Sequence, residues 1–449
     1  MHKRWLAVWA AMLSLGLVRA SAQSPQAPPL PPNAPSAPAP QTLTLKDAEA
    51  LALKDHPQVM AAQLTALASY QALREARSAY FPTMFGDVTG AEADRGQSKI
   101  GAGFLGDSNI LSRFGQGISL GQLVTDSGRT PNLVASSRLR ARAEDENARA
   151  TRFDVILAVD EAYFNVLRAQ ALVKVAQQTV TERQLVVDQV TALAKSKLKS
   201  QLDVSFANVN LAEAQLLLLG AQDDVDKSFA ELSCALGFQR EQQYRLEETP
   251  LPGPTPADAD ALVQEAMSQR PELLSAQFSR DAASKFERAE RDLSFPTVTV
   301  IGAAGFIPEV SNVVPVPNHY DAVALNVEVP IFNGYLFSAR RSAAHFRAQA
   351  EAQRLRGLQD RIARDVRSAW ADATTAQQRL SVTDQLLKQA SLAQDLAQAR
   401  YNLGLGSIVE LSQAQLNLTQ AQIEEASAQY DYQIQRALLD YQVGALPSH

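Results

Sequence analysis

Cysteine is all but missing from this 449-residue chain. Cys234 stands alone, so neither an internal disulfide nor a cysteine-rich zinc site can form. Histidine is scarce too, and His2, His56, His319, His345 and His449 lie without metal-ligand spacing. No metal and no other cofactor is expected. Basic residues show no excess, 42 against 48 acids for a formal charge of −6, which excludes nucleic acid as the main partner. Aromatics make up 6% and charged residues 20%, a balance foreign to disordered chains. A Gly-x-Ser-x-Gly elbow, a phosphate loop and a paired-carboxylate arrangement are all lacking, so no enzyme is expected. His56 beside Pro57, and His345, read as surface residues rather than catalytic bases.

Proline is absent from residues 132–249 and 331–446, tracts of 118 and 116 residues. At average usage about six would fall in each. Proline breaks helix interiors, so these tracts read as helix by exclusion as well as by their Ala, Gln, Leu and Arg content. Residues 132–200 alone would make a rod of roughly 100 Å. Around residues 153–180 the apolar positions form two adjoining stripes. Phe153, Leu157, Phe164, Leu167 and Ala171 make one; Ile156, Val159, Tyr163, Val166, Val173 and Val180 make the other. A narrow polar strip of Asp154, Glu161, Asn165 and Arg168 is left over. A two-stranded coiled coil has a single narrow seam. Two seams put neighbours on both sides, as in a helical cylinder; a helix inside a large bundle would share the pattern.

Residues 1–22 read as an export signal: Lys3 and Arg4, an apolar stretch from Trp5 to Val18, and a small-residue cleavage site at Ala20-Ser21-Ala22. About 14 apolar residues fall short of the roughly 20 that span a bilayer. Residues 23–41 follow as a proline-rich leader, either a spacer or a plain flexible extension. With no second long apolar run, no further membrane helix is expected.

The remainder is a duplication. His56-Pro57 matches Arg270-Pro271 and Phe81-Pro82-Thr83 matches Phe295-Pro296-Thr297, both at an offset of 214. Ala162-Tyr163 pairs with Ala369-Trp370, Leu202-Asp203 with Val409-Glu410, and Leu236-Gly237 with Val443-Gly444, all at an offset of 207. Seven extra residues therefore lie in the first half between Thr83 and about Asp126, where a surface loop is expected. The expected domains are a first repeat at 42–237, a linker at 238–257 and a second repeat at 258–446.

Each repeat also holds two extended segments, with strands expected at about 84–95 and 114–124, and at 297–306 and 321–331. Val323, Leu325, Val327, Val329 and Ile331 alternate with Ala322, Ala324, Asn326, Glu328 and Pro330. About ten residues suit a tilted membrane strand, although a soluble hairpin would alternate too. Four strands cannot close a barrel, since single-chain barrels start at eight. Three chains would supply 12.

In this order of features the chain resembles the TolC-like outer-membrane efflux proteins. The carriers are the internal repeat, Phe-Pro-Thr before each hairpin, Pro330-Ile-Phe-Asn-Gly334 after the second, and Ala399-Arg-Tyr-Asn-Leu-Gly-Leu-Gly-Ser407 leading into Ile408-Val-Glu-Leu411. The resemblance implies a mainly α fold with a small membrane β-barrel: a homotrimer with a 12-stranded barrel in outer-membrane lipid, continuous with a periplasmic helical tunnel. It further implies docking onto a periplasmic adaptor and an inner-membrane pump, and passive export. A periplasmic coiled-coil spacer or adaptor without a barrel is the alternative. The helix turns should form the far periplasmic tip, making Lys197, Lys199, Gly404, Gly406 and Ser407 candidates for adaptor contact; simple closure of a helix hairpin is the competing reading. The first turn lacks the family's glycines, and the family's basic residue near the second turn falls on Gly406. Asp203 and Glu410 hold equivalent places just past the turns, so threefold assembly would gather six carboxylates near the tunnel end. By resemblance the family narrows its tunnel there with acidic rings and a tyrosine-linked network, to which Tyr401 corresponds. Helix capping by the two acids is the other reading.

Overall fold

The structure is a computed structural model that describes residues 42–91, 97–100, 108–111, 113–240, 242, 244–306 and 318–446. The export signal and proline-rich leader lie outside the described residues. Two helices of 67 residues, α3 (Arg129–Lys195) and α7 (Leu336–Asn402), fill the proline-free tracts and start 207 residues apart. Each doubles back through a tight turn, into α4 (Gln201–Ala235) and α8 (Ile408–Val443). Shorter pairs precede them, α1 (Leu45–Asp55) with α2 (Pro57–Ser78) and α5 (Ala259–Gln269) with α6 (Pro271–Asp292). Each short pair breaks at His56-Pro57 or Arg270-Pro271, because a residue before proline is pushed out of the helical region, here to ψ 127° and 122°.

A recurrence of seven packs the rods. Ala141, Ala148, Val155, Ala162, Ala169 and Ala176 are buried along α3, as are Leu355, Ile362, Ala369, Thr383, Ala390 and Ala397 along α7. Small residues let neighbouring backbones approach, and a seven-residue repeat keeps the seam facing its partner. Near the sheet the layer runs α2–α3–α6–α7; beyond mid-length it runs α4–α3–α8–α7. So α3 has neighbours on both sides in both halves. Phe153, Phe164 and Leu167 of one stripe and Ile156, Val159, Tyr163 and Val166 of the other are all buried.

One premise is corrected, that the chain holds no second long apolar run. By length and apolar composition alone, α4 is able to cross a membrane. It instead forms the free edge of the far half of the layer, and Leu202, Phe206, Val209, Leu216 and Leu219 stand exposed along it. An edge helix whose outer face awaits a neighbour needs apolar residues on that face as well as on its seam.

Four strands form one antiparallel sheet in the order β2 (Thr83–Ala91), β5 (Arg113–Thr125), β7 (Thr297–Phe306), β8 (His319–Glu328). The second repeat's strands fall close to expectation, with β8 ending before Val329 and Pro330. In the first repeat β2 ends at Ala91, and positions 92–95 of the expected strand lie outside the described residues. The interval with the seven extra residues is not wholly loop: β3 (Gln97–Ile100) and β4 (Ser108–Leu111) make a separate two-stranded ladder there. Among the described residues, no strand pairs with the outer edge of β2 or of β8.

The linker is pinned rather than free. β6 (Arg245–Leu246) pairs in parallel with β1 (Thr42–Leu43). Beyond it, Thr249 and Gly253 carbonyls accept from Gln433 Nε2 (3.0 Å) and the Tyr432 hydroxyl (2.6 Å). Thr255 N donates to Gln377 Oε1 (3.0 Å) and Trp370 Nε1 to the Pro256 carbonyl (2.7 Å). Trp370 is the repeat equivalent of Tyr163, whose buried hydroxyl reaches the Leu43 carbonyl (3.0 Å) and accepts from Glu247 N (3.1 Å). The same position in each repeat therefore ties down one strap.

Candidate functional site

Antiparallel pairing puts directly opposed residues on the same face. Through Val323↔Gly302, Leu325↔Val300, Val327↔Val298 and their neighbours in β5 and β2, one face gathers Val298, Val300, Val323, Leu325, Val327, Leu120, Met84 and Val88. Gln116, Gln122 and Asp321 share that face; the other gathers Thr297, Thr299, Asn326, Glu328, Ser119, Asp87 and Thr83, together with Phe85, Ile301 and Tyr320. Val323, Leu325 and Val327 remain exposed, since no described element covers either face. A sheet with one mainly apolar and one mainly polar face, uncovered on both among the described residues, has the sidedness of a barrel wall between lipid and water.

At the opposite end lie the two helix turns, and they are built alike. Leu198 N bonds back to the Leu193 carbonyl and Leu405 N to the Arg400 carbonyl, both at 2.9 Å. This closure demands a left-handed residue. Gly404 takes it with φ 75°, and Lys197 takes it with φ 57° although the first turn has no glycine. Ser200 and Ser407 then cap the return helices, accepting from Asp203 N (3.2 Å) and Glu410 N (3.1 Å). Beneath the turns the hairpins share a core of Val186, Val187, Val190, Val204, Ala397, Tyr401, Ile408 and Leu411. Polar bonds across the hairpins fix the register: Asn210 Nδ2 to Ser412 Oγ (2.6 Å), Gln189 Nε2 to Asn402 Oδ1 (3.3 Å), and Arg183 to Gln415.

The structure brings Asp203, Lys199 and Tyr401 together and places Glu410 beside them on the second turn. Asp203 Oδ2 accepts from Ser200 N and Oγ, both at 2.9 Å, completing a capping box. Glu410 pairs with Arg400 (3.0 Å). Tyr401 is buried, its hydroxyl finds no hydrogen-bond partner among the described residues, and Lys199 Nζ lies 4.0 Å from its ring centroid. Burial, and then the charge of Asp203, push the Tyr401 phenol above its usual range. Lys199 is the repeat equivalent of Gly406, so the tip carries its lysine on the first turn where the second has glycine. Lys197, Gly404 and Ser407 are exposed on the two turns, with Gly406 half-buried beside Glu410.

Sequence reasoning missed a second polar cluster at mid-length. Asp160 and Glu49 are both buried and hydrogen-bonded to each other, where α1 packs on α3. Burial first, then the charges of Glu49, Glu161 and Asp440, push Asp160 up to about 8. The only signal in the sequence was an acid inside an apolar stripe.

Residues 50–238 and 262–445, one span in each repeat, match the outer membrane efflux protein family. The chain belongs to that family. The apolar sheet face is then the lipid face in the outer membrane, and the helical layer stands in the periplasm. Outer membrane protein TolC of Salmonella enteritidis is 24% identical over 421 residues, covering 90% of this chain and 83% of that one. Toluene efflux pump outer membrane protein TtgI of Pseudomonas putida is 26% identical over 374 residues, covering 81% and 77%. Among solved structures, the outer-membrane channel OprN superposes with a TM-score of 0.78 at 18% identity, covering 89% and 90% of the two chains. VceC of Vibrio cholerae does so at 0.76 and 17%, covering 89% and 96%. These efflux-family likenesses share the fold of this chain across both repeats.

Proposed function

We propose that three copies form the outer-membrane channel of a tripartite efflux or secretion system, conducting cargo passively from a periplasmic adaptor and an inner-membrane pump. The observation that carries this reading is the sheet: four strands, two open edges, one mainly apolar face and one mainly polar face. Open edges are not tolerated in hydrocarbon, and β8 of one copy meeting β2 of the next closes 12 strands without an edge. The helical layer has matching free sides, α2 and α4 on one and α7 on the other. A soluble coiled-coil spacer has no use for that sheet.

The turns at Lys197, Lys199, Gly404, Gly406 and Ser407 are the proposed adaptor contact, because they end the longest helices and expose short or flexible side chains. Asp203, Tyr401 and Glu410 are the proposed gate, supported by their convergence beneath those turns. Mass measurement in mild detergent tests the assembly: the expected species is a trimer, and a monodisperse monomer overturns the reading.

A further inference from the structure

Each buried seam residue on α7 has a neighbour on either side of it. One residue ahead turns about +100° around the helix and one residue behind about −100°, so the two flanks point to opposite sides of the layer. Trp370, one ahead of Ala369, reaches the strap at Pro256, and Gln377 seven residues on reaches Thr255. Arg367 reaches Asp260 of α5 on the same side (3.0 Å). On α3 the matching residue is Tyr163, one ahead of Ala162, which reaches the β1–β6 strap. The straps thus lie on one side of the layer in both repeats. Were that side the inner one, straps and short helices would fill the bore, so the opposite flank faces the bore.

The residues one behind the seam are Arg347, Arg354 and Arg361 on α7, before Ala348, Leu355 and Ile362, and Arg140 on α3, before Ala141. All four are exposed. The three on α7 recur every seven residues, a rise of about 10 Å per rung. Arg140 and Arg347 are repeat equivalents; Arg140 stacks over the Phe286 ring at 5.6 Å. Arg354 pairs only with Glu351 one turn away, and Arg347 and Arg361 have no ion-pair partner among the described residues. Toward the strap the same flank of α3 turns acidic at Asp154 and Glu161. The imbalance extends along the rods. Residues 336–367 hold eight arginines against three acids, whereas α4 has six acids to one base and α8 five to one.

We infer that Arg140, Arg347, Arg354 and Arg361 form an anion-attracting ladder on the bore wall between the barrel and the strap. The inference rests on the trimeric conduit proposed above, in which four guanidiniums per chain become twelve. Guanidinium stays charged at any physiological pH, and charges of one sign lining a low-dielectric wall raise the local concentration of counter-ions. The ladder draws carboxylate-, sulfonate- or phosphate-bearing cargo up the bore after it has passed the acidic far half.

The test uses the purified full chain. In planar bilayers, tripolyphosphate added on the barrel side should impede the current. In R347Q/R354Q/R361Q its half-blocking concentration should rise about fivefold or more, the worth of one close charge contact in water. The corresponding triple Lys variant should retain the block. A placement test needs no current. In a Cys234→Ser background, Arg354→Cys should accept biotin-maleimide yet stay closed to streptavidin, whereas Asp260→Cys on the strap side should accept both. Unmodified protein that carries no current fails the conduit reading. Current with an unchanged block, or streptavidin access at Arg354→Cys equal to that at Asp260→Cys, overturns the ladder itself.

Discussion

Lys197 stands where the fold asks for glycine. Its φ of 57° costs a side-chain-bearing residue about 1 kcal/mol that Gly404 does not incur in the equivalent turn. Lys197→Gly should therefore raise the thermal-unfolding midpoint of the detergent-solubilised protein, and an unchanged or lower midpoint would show that Lys197 makes contacts outweighing the strain. Asp160 poses the opposite problem, a carboxyl kept neutral by burial and by its neighbours Glu49, Glu161 and Asp440. Its ordinary value is 3.8 and its folded value about 8. Between these the folded chain holds a proton that the unfolded chain has released, so stability falls as pH rises through that window and levels off above it. Asp160→Asn keeps the shape and cannot ionise. Its unfolding midpoint should vary less between pH 5 and pH 8 than that of the unmodified protein, and an equal slope would mean that other groups govern the window.

Among the elements, the strands show why some of the fold was legible and some was not. β8 could be read because Val323, Leu325 and Val327 alternate cleanly with Ala324 and Asn326. β2 and β5 blur because glycines interrupt the alternation on both faces, Gly86 and Gly90 on the apolar one and Gly117 and Gly121 on the polar one, and at Gly117 the glycine answers to a constraint that only pairing reveals. Gly117 sits opposite Gly305, and the Tyr320 side chain lies across both. A Cβ on Gly305 would strike the Gln116 carbonyl and Gly117 Cα, whereas one on Gly302 meets nothing nearer than 3.9 Å. Gly305→Val should cost about 1–3 kcal/mol of overpacking and lower the yield of folded protein in the outer membrane, with Gly302→Val close to normal. Equal yields would mean that the sheet relaxes around the added side chain. Helices were legible for the converse reason. Proline exclusion and two adjoining apolar stripes act along a single rod, and the resemblance to the efflux proteins placed both turns before any contact was known. Lys199 against the Tyr401 ring, and the buried acid pair, depend on residues far apart in sequence and left no local pattern.

For the whole molecule, charge is arranged by position along the axis. Arginines cluster toward the barrel, while acids predominate along α4 and α8 and end in Asp203 and Glu410 at the tip. Both acids are engaged within one chain, Asp203 in its capping box and Glu410 with Arg400. Those engagements do not remove the acids from play. An exposed ion pair such as Arg400–Glu410 contributes little in water and is screened by salt, and a capping carboxylate keeps its charge. Threefold assembly with the turns drawn together would bring six such carboxylates near one another, where like charges attract cations into a constriction. Asp203→Asn with Glu410→Gln retains size and most hydrogen bonding while removing the charge. With multivalent cations added on the tip side in planar-bilayer recordings, the double variant should show weaker block and weaker cation selectivity than the unmodified channel, at equal trimer yield. If block and selectivity are unchanged, Asp203 and Glu410 serve their helices alone, and the narrowing of the tunnel belongs to Tyr401 and the Lys199 that lies against its ring.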